Sequence, residues 1–231
     1  MIRAEKLTVE YPGAVTALRE VSFTVGRGER VALLGQNGAG KSTLLLSLAG
    51  VLFPSSGNLS VGGVPVTRAR LDDIRRLVGF VFQNPDDQLF MPTVEDDLCF
   101  GPRNFGVDTE TMMKRVRDTA EALRIAHLLK RPVYHLSGGE KRLAALAGVL
   151  VMEGEILLLD EPCAFLDTRS RRALVSILNA LAHTMLIATH DFDLARSLCS
   201  RVIILRDGSV CAEGKTAEIL DDPELLEQCG L

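Results

Sequence analysis

Apolar positions along this chain follow two different rhythms. Near the start, Lys6 to Tyr11, Val21 to Val25 and Arg30 to Leu34 are short strand-like runs, separated by the turn signals Pro12-Gly13, Gly26 and Gly28. A glycine-rich stretch from Gly35 to Gly40 follows, and then Lys41 to Leu52 packs its leucines densely enough to predict a buried helix. Four later runs, Val78 to Phe82, Ile156 to Leu159, Met185 to Ala188 and Val202 to Leu205, are compact and rich in Ile, Leu and Val. Such runs are expected of strands covered on both faces, so they predict a mostly parallel sheet. Between the first and second of them, Val94 to Gly148 shows helical periodicity, as in Met112 to Leu129, and no comparable strand run. The expectation is one α/β domain over 1–231, with a core formed by 1–83 and 149–231 and a helical subdomain, 84–148, inserted into it.

Composition narrows the class. A length of 231 residues suits one domain with a full core, and 47% hydrophobic with 24% charged residues is ordinary for a globular chain. The longest apolar stretch, Leu143 to Leu159, is broken by Glu153, Gly154 and Glu155, short of the roughly 18 residues of a membrane span. Arg3, Glu5 and Lys6 interrupt the N-terminal segment, which therefore does not read as a signal peptide, and a cytosolic chain is expected. The net charge of -4 gives no electrostatic reason to expect nucleic acid as a partner. Cys99, Cys163, Cys199, Cys211 and Cys229 form no C-x-x-C pair, so reduced thiols are expected rather than a zinc site or a disulfide framework.

The chemistry concentrates in a few short segments. Gly35-Gln36-Asn37-Gly38-Ala39-Gly40-Lys41-Ser42 fits G-x-x-x-x-G-K-S between a predicted strand and a predicted helix, the context of a P-loop. Its backbone N–H groups and the helix N-terminus suit phosphate oxygens, with Lys41 for the β- and γ-phosphates and Ser42 for magnesium. Gly35, Asn37, Gly38, Gly40, Lys41, Ser42 and the following Thr43 are thus candidate ATP-binding residues. A P-loop alone does not separate kinase, GTPase and transport ATPase. Leu136-Ser137-Gly138-Gly139-Glu140 is a second candidate phosphate segment, although by itself it also fits a helix capping box.

Carrying both segments, the chain resembles the ABC ATPase family, in which L-S-G-G-E is the signature and the other motifs follow in the same order. The resemblance covers nearly the whole chain and implies an α/β P-loop NTPase core with a mostly parallel sheet, an N-terminal antiparallel β region and an inserted helical subdomain. It implies ATP and Mg2+ as cofactors. Ile156 to Pro162 resembles the Walker B strand, so that Asp160 holds magnesium through water and Glu161 polarises the attacking water. Gln83 matches the Q-loop glutamine, touching magnesium and water, and His190 the switch histidine that contacts γ-phosphate. Leu166-Asp167 resembles the D-loop at the dimer interface, and Tyr11 the aromatic residue that stacks on adenine, a plain packed aromatic being the alternative. Ser137 and Gly139 are expected to serve the ATP of a second ABC ATPase subunit, identical or paralogous.

Val81 to Phe90, with Met91 to Asp97 and Phe100 to Asn104, looks like the energy-coupling-factor branch, closest to its cobalt/nickel and biotin members, a plain solvated turn being the alternative for the polar loop. That branch implies a transmembrane coupling protein and a substrate-binding membrane protein as partners, at the cytoplasmic face of the membrane, with the loop Asn84 to Phe90 beside the coupling groove. Leu143 stands where the family usually has Arg, with Arg142 one place earlier, and Cys163 and Phe165 replace the usual Thr and Gly. An ABC ATPase acting outside transport, such as one in iron–sulfur assembly, is the competing reading.

Overall fold

In the computed structural model, which describes residues 1–13 and 15–231, the chain begins with β1 (Ile2–Tyr11) and β2 (Val15–Val25), paired antiparallel from Ile2↔Val25 to Tyr11↔Val15. Alternation along β1 buries Ile2, Ala4, Leu7 and Val9, and a register shift between Ala4 and Leu7 spans the left-handed Lys6. Next come β3 (Arg30–Leu34), α1 (Lys41–Leu48), β4 (Ser56–Val61), β5 (Val64–Pro65), α2 (Leu71–Leu77) and β6 (Val78–Val81). The strands β2-β1-β4-β5 form one antiparallel sheet in that order.

The chain then turns helical through α3 (Val94–Asn104), α4 (Thr109–Ala122) and α5 (Gly138–Leu150). It returns through β7 (Ile156–Asp160), α6 (Thr168–Ala180), β8 (Thr184–Ala188), α7 (Phe192–Leu198), β9 (Arg201–Arg206), β10 (Ser209–Lys215), α8 (Thr216–Leu220) and α9 (Pro223–Gln228). The second sheet has the order β10-β9-β3-β8-β7-β6, parallel throughout except for the β9–β10 hairpin.

Alternate residues of the central strands explain why their sequences are continuously apolar. Ala32, Leu34, Leu157, Leu159, Met185, Ile187, Val202 and Ile204 point into a core shared with α3 to α7. Val31, Leu33, Ile156, Leu158, Leu186, Ala188, Ile203 and Leu205 point the other way, toward α1 and the antiparallel sheet. Both faces are covered, so neither tolerates polar positions. Truncating Leu158 to Ala at the centre of β7 would cost about 2–5 kcal/mol.

Several elements end earlier than apolar periodicity predicts. Helix α1 stops at Leu48 rather than Leu52, because Gly50 takes a left-handed φ of 71° and closes the C-terminus. The run Met112 to Leu129 is not one helix. Arg124 adopts φ 59°, its N–H bonding Glu121 O and that of Ile125 bonding Ala120 O, so α4 ends in a Schellman turn with Arg in the usual glycine position. The cysteine expectation also needs correction: Cys211 and Cys229 form a disulfide, brought together because α8 and α9 fold back beside β10. Among the described residues no helix is long and apolar enough to cross a membrane.

Candidate functional site

Strand β3 delivers the chain into the Gly35–Ser42 loop, and the loop closes on α1. Gly35 has no room for a side chain, since a Cβ there would lie 2.4 Å from Leu205 O. Gly40, the N-cap of α1 at φ 103°, would meet Ala17 O at 2.8 Å. These two glycines let the loop backbone press against β9 and β2, leaving its outer side open. Lys41 is buried, and its Nζ donates to Gly35 O at 2.6 Å and Gln36 O at 3.1 Å. Burial holds its ammonium below the usual lysine range, against the pull of Glu161 and Asp160. An ammonium satisfied only by two neutral carbonyls is poised for a stronger, anionic partner. Tyr11 lies across the loop with its hydroxyl 3.2 Å from Thr43 Oγ1, leaving the ring 38% exposed as a residue.

The end of β7 brings two carboxylates to the same place. Burial pushes the Asp160 carboxyl above its ordinary range; the Ser42 hydroxyl bond opposes this, and the Glu161 charge adds to it. Glu161 follows with φ 44°, a left-handed conformation rare outside glycine, held by its N–H donating to Ala188 O at 2.9 Å. The turn re-aims its side chain. One carboxylate oxygen accepts from Thr189 Oγ1 at 3.1 Å, and the other is 2.8 Å from His190 Nδ1. Glu161 is buried while the His190 side chain remains 70% exposed, so the histidine reaches outward from an anchored carboxylate. Asp191 is used locally, capping α7 through Leu194 N–H and pairing with Arg171 at 2.5 Å.

Tyr11, Asn37, Gly38, Gly40, Lys41, Ser42, Thr43, Gln83, Asp160, Glu161 and His190 line one 620 Å³ cleft, together with Asp207 and Gly208 of the β9–β10 turn, which the sequence did not single out. The size suits a nucleotide-sized ligand. Gly35 lies beneath the loop outside this lining, whereas Ser137, Gly139 and Asp167 line a different surface hollow with Ser170 and Leu166. There Ser137 and Glu140 make a full capping box at the start of α5, so the local motif is a helix cap as well as a candidate ligand segment. The bonds from the Ser137 backbone N–H and hydroxyl hold the Glu140 carboxylate below its usual range. Asp167 caps α6 and accepts from the Ser170 hydroxyl at 2.6 Å.

A family model described as "ABC transporter" matches residues 18–164, well over half of the chain. The chain belongs to the ABC transporter ATP-binding family. This cassette is 43% identical to the energy-coupling factor transporter ATP-binding protein EcfA of Methanoculleus marisnigri, over 100% of its own length and 85% of the relative. It is 46% identical to the cobalt import ATP-binding protein CbiO of Rhodobacter capsulatus, over 100% and 84%. Among solved structures it resembles cbiO1 from Clostridium perfringens, part of the cbiONQ complex, with a TM-score of 0.87 and 36% identity over 98% and 93% of the two chains. A dimeric ATP-binding cassette in a post-hydrolysis state with ADP and Pi superposes with a TM-score of 0.84 and 26% identity, over 94% and 99%.

The departures of this cassette from its family become intelligible in the structure. Arg142, one place before the apolar Leu143, is the largest fully buried side chain. It donates to Phe82 O at 2.6 Å and Gln83 O at 2.5 Å, tying α5 to the backbone that carries Gln83. Sequence reasoning noted Arg142 only as a displaced arginine. A charged residue inside the apolar run of α5 was the available signal, because such a group stays buried only when it is hydrogen-bonded. Phe165 is 93% exposed and takes φ 62°, the conformation for which the usual glycine is suited. Cys163 packs partly buried below it, its thiol pushed up to about 11 by burial. The loop after Gln83 is less solvated than its composition suggests: Gln88 accepts from Phe82 N–H at 3.3 Å and donates to Ala145 O at 2.7 Å, and Asp86 pairs with Lys141 at 2.5 Å.

Proposed function

We propose that this cassette is the ATP-hydrolysing subunit of an energy-coupling-factor importer, working as a dimer of cassettes at the cytoplasmic face of the membrane. The observation that carries the reading is the Glu161 carboxylate, anchored by Thr189 and His190 at the cleft that also holds Lys41 and Asp160. ATP lies with its adenine on the Tyr11 ring and its phosphates along the backbone of Gly35 to Gly40, where Lys41 leaves its two carbonyls for the β- and γ-phosphate oxygens. Glu161 takes the proton of the attacking water as the γ-phosphoryl group departs, and His190, held by Glu161, bonds the γ-phosphate. Gln83, in the same cleft, orients the water.

The Ser42 hydroxyl on the Asp160 carboxylate, with the Gln83 amide in the same cleft, is an oxygen donor set that fits magnesium. These residues would hold the ion, which when bound neutralises the phosphate charge. Ser137 and Gly139 complete the neighbouring cassette's site from the far face, with Asp167 at the contact. The segment 84–148 serves as a subdomain that moves on closure, and gives the membrane coupling protein an aromatic edge: Phe90, 63% exposed, stacks edge-on against the exposed Phe100 with centroids 4.8 Å apart. A further membrane subunit binds the transported solute, a metal ion such as cobalt or nickel or a vitamin such as biotin, in keeping with the relatives named for cobalt import and energy coupling.

The decisive experiment reconstitutes the cassette with its membrane subunits and measures uptake beside ATP hydrolysis. Phe90→Asp combined with Phe100→Asp should abolish uptake while the isolated cassette still binds ATP. Full uptake by that variant would overturn the docking edge, and absence of ATP-driven uptake by the wild-type complex for every metal and vitamin tried would overturn the importer.

A further inference from the structure

Strand β10 carries an irregularity at a cysteine. Val210 pairs with Leu205 and Ala212 with Ile204, so Cys211 is the extra residue of a bulge, and it is exposed. A bulge re-aims the side chain it carries. Here the sulfur meets that of the buried Cys229, just beyond α9, across a separation of 18 residues. The bond pins the C-terminal tail behind the phosphate loop. Gly230 O accepts from the Gln36 side-chain amide, and Gln228 O from Arg206. The Gln36 carbonyl in turn accepts from Lys41 Nζ at 3.1 Å. A continuous path of covalent and hydrogen bonds therefore runs from Cys211 through the tail and Gln36 to Lys41.

We propose that Cys211–Cys229 is a thiol–disulfide modification site, opened by a dithiol reductant, whose closed form braces the phosphate loop through the C-terminal tail. The thiolate of the reductant attacks the exposed Cys211 Sγ and Cys229 leaves as a thiolate that takes a proton. The second thiol of the reductant then resolves the mixed disulfide, so two electrons and two protons pass to the cysteine pair while the reductant becomes a disulfide. On the cytoplasmic side, where the proposed function places the chain, a disulfide is commonly redox-sensing rather than permanent. The remaining thiols do not compete: Cys99 and Cys199 are buried, and burial pushes Cys163 up to about 11 and Cys199 up to about 12. Bracing lowers the ordering needed when phosphate binds, so the closed form has the higher nucleotide affinity.

The test compares full-length protein oxidised with diamide and reduced with dithiothreitol, using differential alkylation with peptide mass spectrometry and hydrogen–deuterium exchange. Oxidation should protect Cys211 and Cys229 from alkylation, and reduction should speed exchange at least several-fold in both 222–231 and 35–42. ATP affinity should fall several-fold on reduction, and Cys211→Ser, a conservative change at an exposed site, should behave as the reduced form under both conditions. Because wild-type protein is compared with itself, a folding defect in the variant does not decide the result. Alkylation of both cysteines after oxidation, or identical exchange of 35–42 in the two states, would overturn the proposal. A chain that binds no ATP in either state sinks the nucleotide assignment instead, and the exchange measurement still decides the switch.

Discussion

The two regions of this cassette proposed to meet phosphate are built on opposite principles. Around Lys41, charged groups are buried: Lys41, Asp160 and Glu161 are each 7% exposed, fixed by the ends of β3 and β7 and by backbone bonds. Around Ser137 the groups lie at the surface and satisfy one another, Ser137 with Glu140 and Asp167 with Ser170. The first region bears the cost of desolvation in advance and is ready for an anion when one chain has folded. The second is stable as a pair of helix caps, and the proposed function gives it another role only when a second cassette brings a nucleotide to it. One fold thus holds a preassembled cleft and a capped surface to which the proposed function assigns work only on association.

Breaking the preassembled half should have the largest effect. Glu161→Gln should retain ATP binding and slow turnover by on the order of a hundredfold or more, measured as steady-state phosphate release. Near-normal turnover would remove Glu161 from its role as acceptor of the water proton. Breaking the surface half should act through association. In the Glu161→Gln background, Ser137→Arg should leave nucleotide binding by the monomer intact and abolish the ATP-dependent dimer on size-exclusion chromatography; a normal dimer would show that the two halves do not meet at Ser137.

The link between the halves comes next. Arg142→Met strips two part-buried carbonyl bonds of their charged donor and should cost about 2–4 kcal/mol, seen in a denaturant melt. ATPase activity should fall with it, because Gln83 loses its backbone anchor. A variant as stable as wild type would mean that water replaces the guanidinium.

The smallest effect tests the desolvation argument itself. The raised carboxyl of Asp160 means that the folded chain binds its proton more tightly than the unfolded chain, so this residue makes the nucleotide-free protein less stable as pH rises from the unfolded-state pKa through the higher folded one. Asp160→Asn should flatten that part of the stability profile and raise the melting temperature of the nucleotide-free protein slightly at neutral pH. A steeper profile in the variant would contradict the assignment of burial as the dominant cause.

Legibility in the sequence followed the range of the interactions. The phosphate loop and the strand ending in Asp160 and Glu161 were readable because their chemistry sits in contiguous residues, and the central strands because both faces are apolar. Strands β4 and β5, the bulge at Cys211 and its bond to Cys229 depend on partners distant in sequence, and no local pattern announces them. Helix α4 misled the periodicity argument, since a left-handed Arg124 ends it where glycine would have been the signal. Gln88 resembled a solvated loop residue, yet its amide bridges Phe82 and Ala145. Polar side chains that bond backbone atoms inside the fold are spelled no differently from those that face water.

The clamp made by Arg142 has a consequence for timing. Ser137 and Arg142 stand on the same first turns of α5, one facing outward and the other gripping the carbonyl of Gln83. Under the proposed function, a neighbour's nucleotide drawing on Ser137 pulls on the helix whose other grip is the Gln83 backbone of this chain's own cleft. On that reading each cassette carries its own coupling arm, one guanidinium per chain set between the face offered to a partner and the cleft kept for itself.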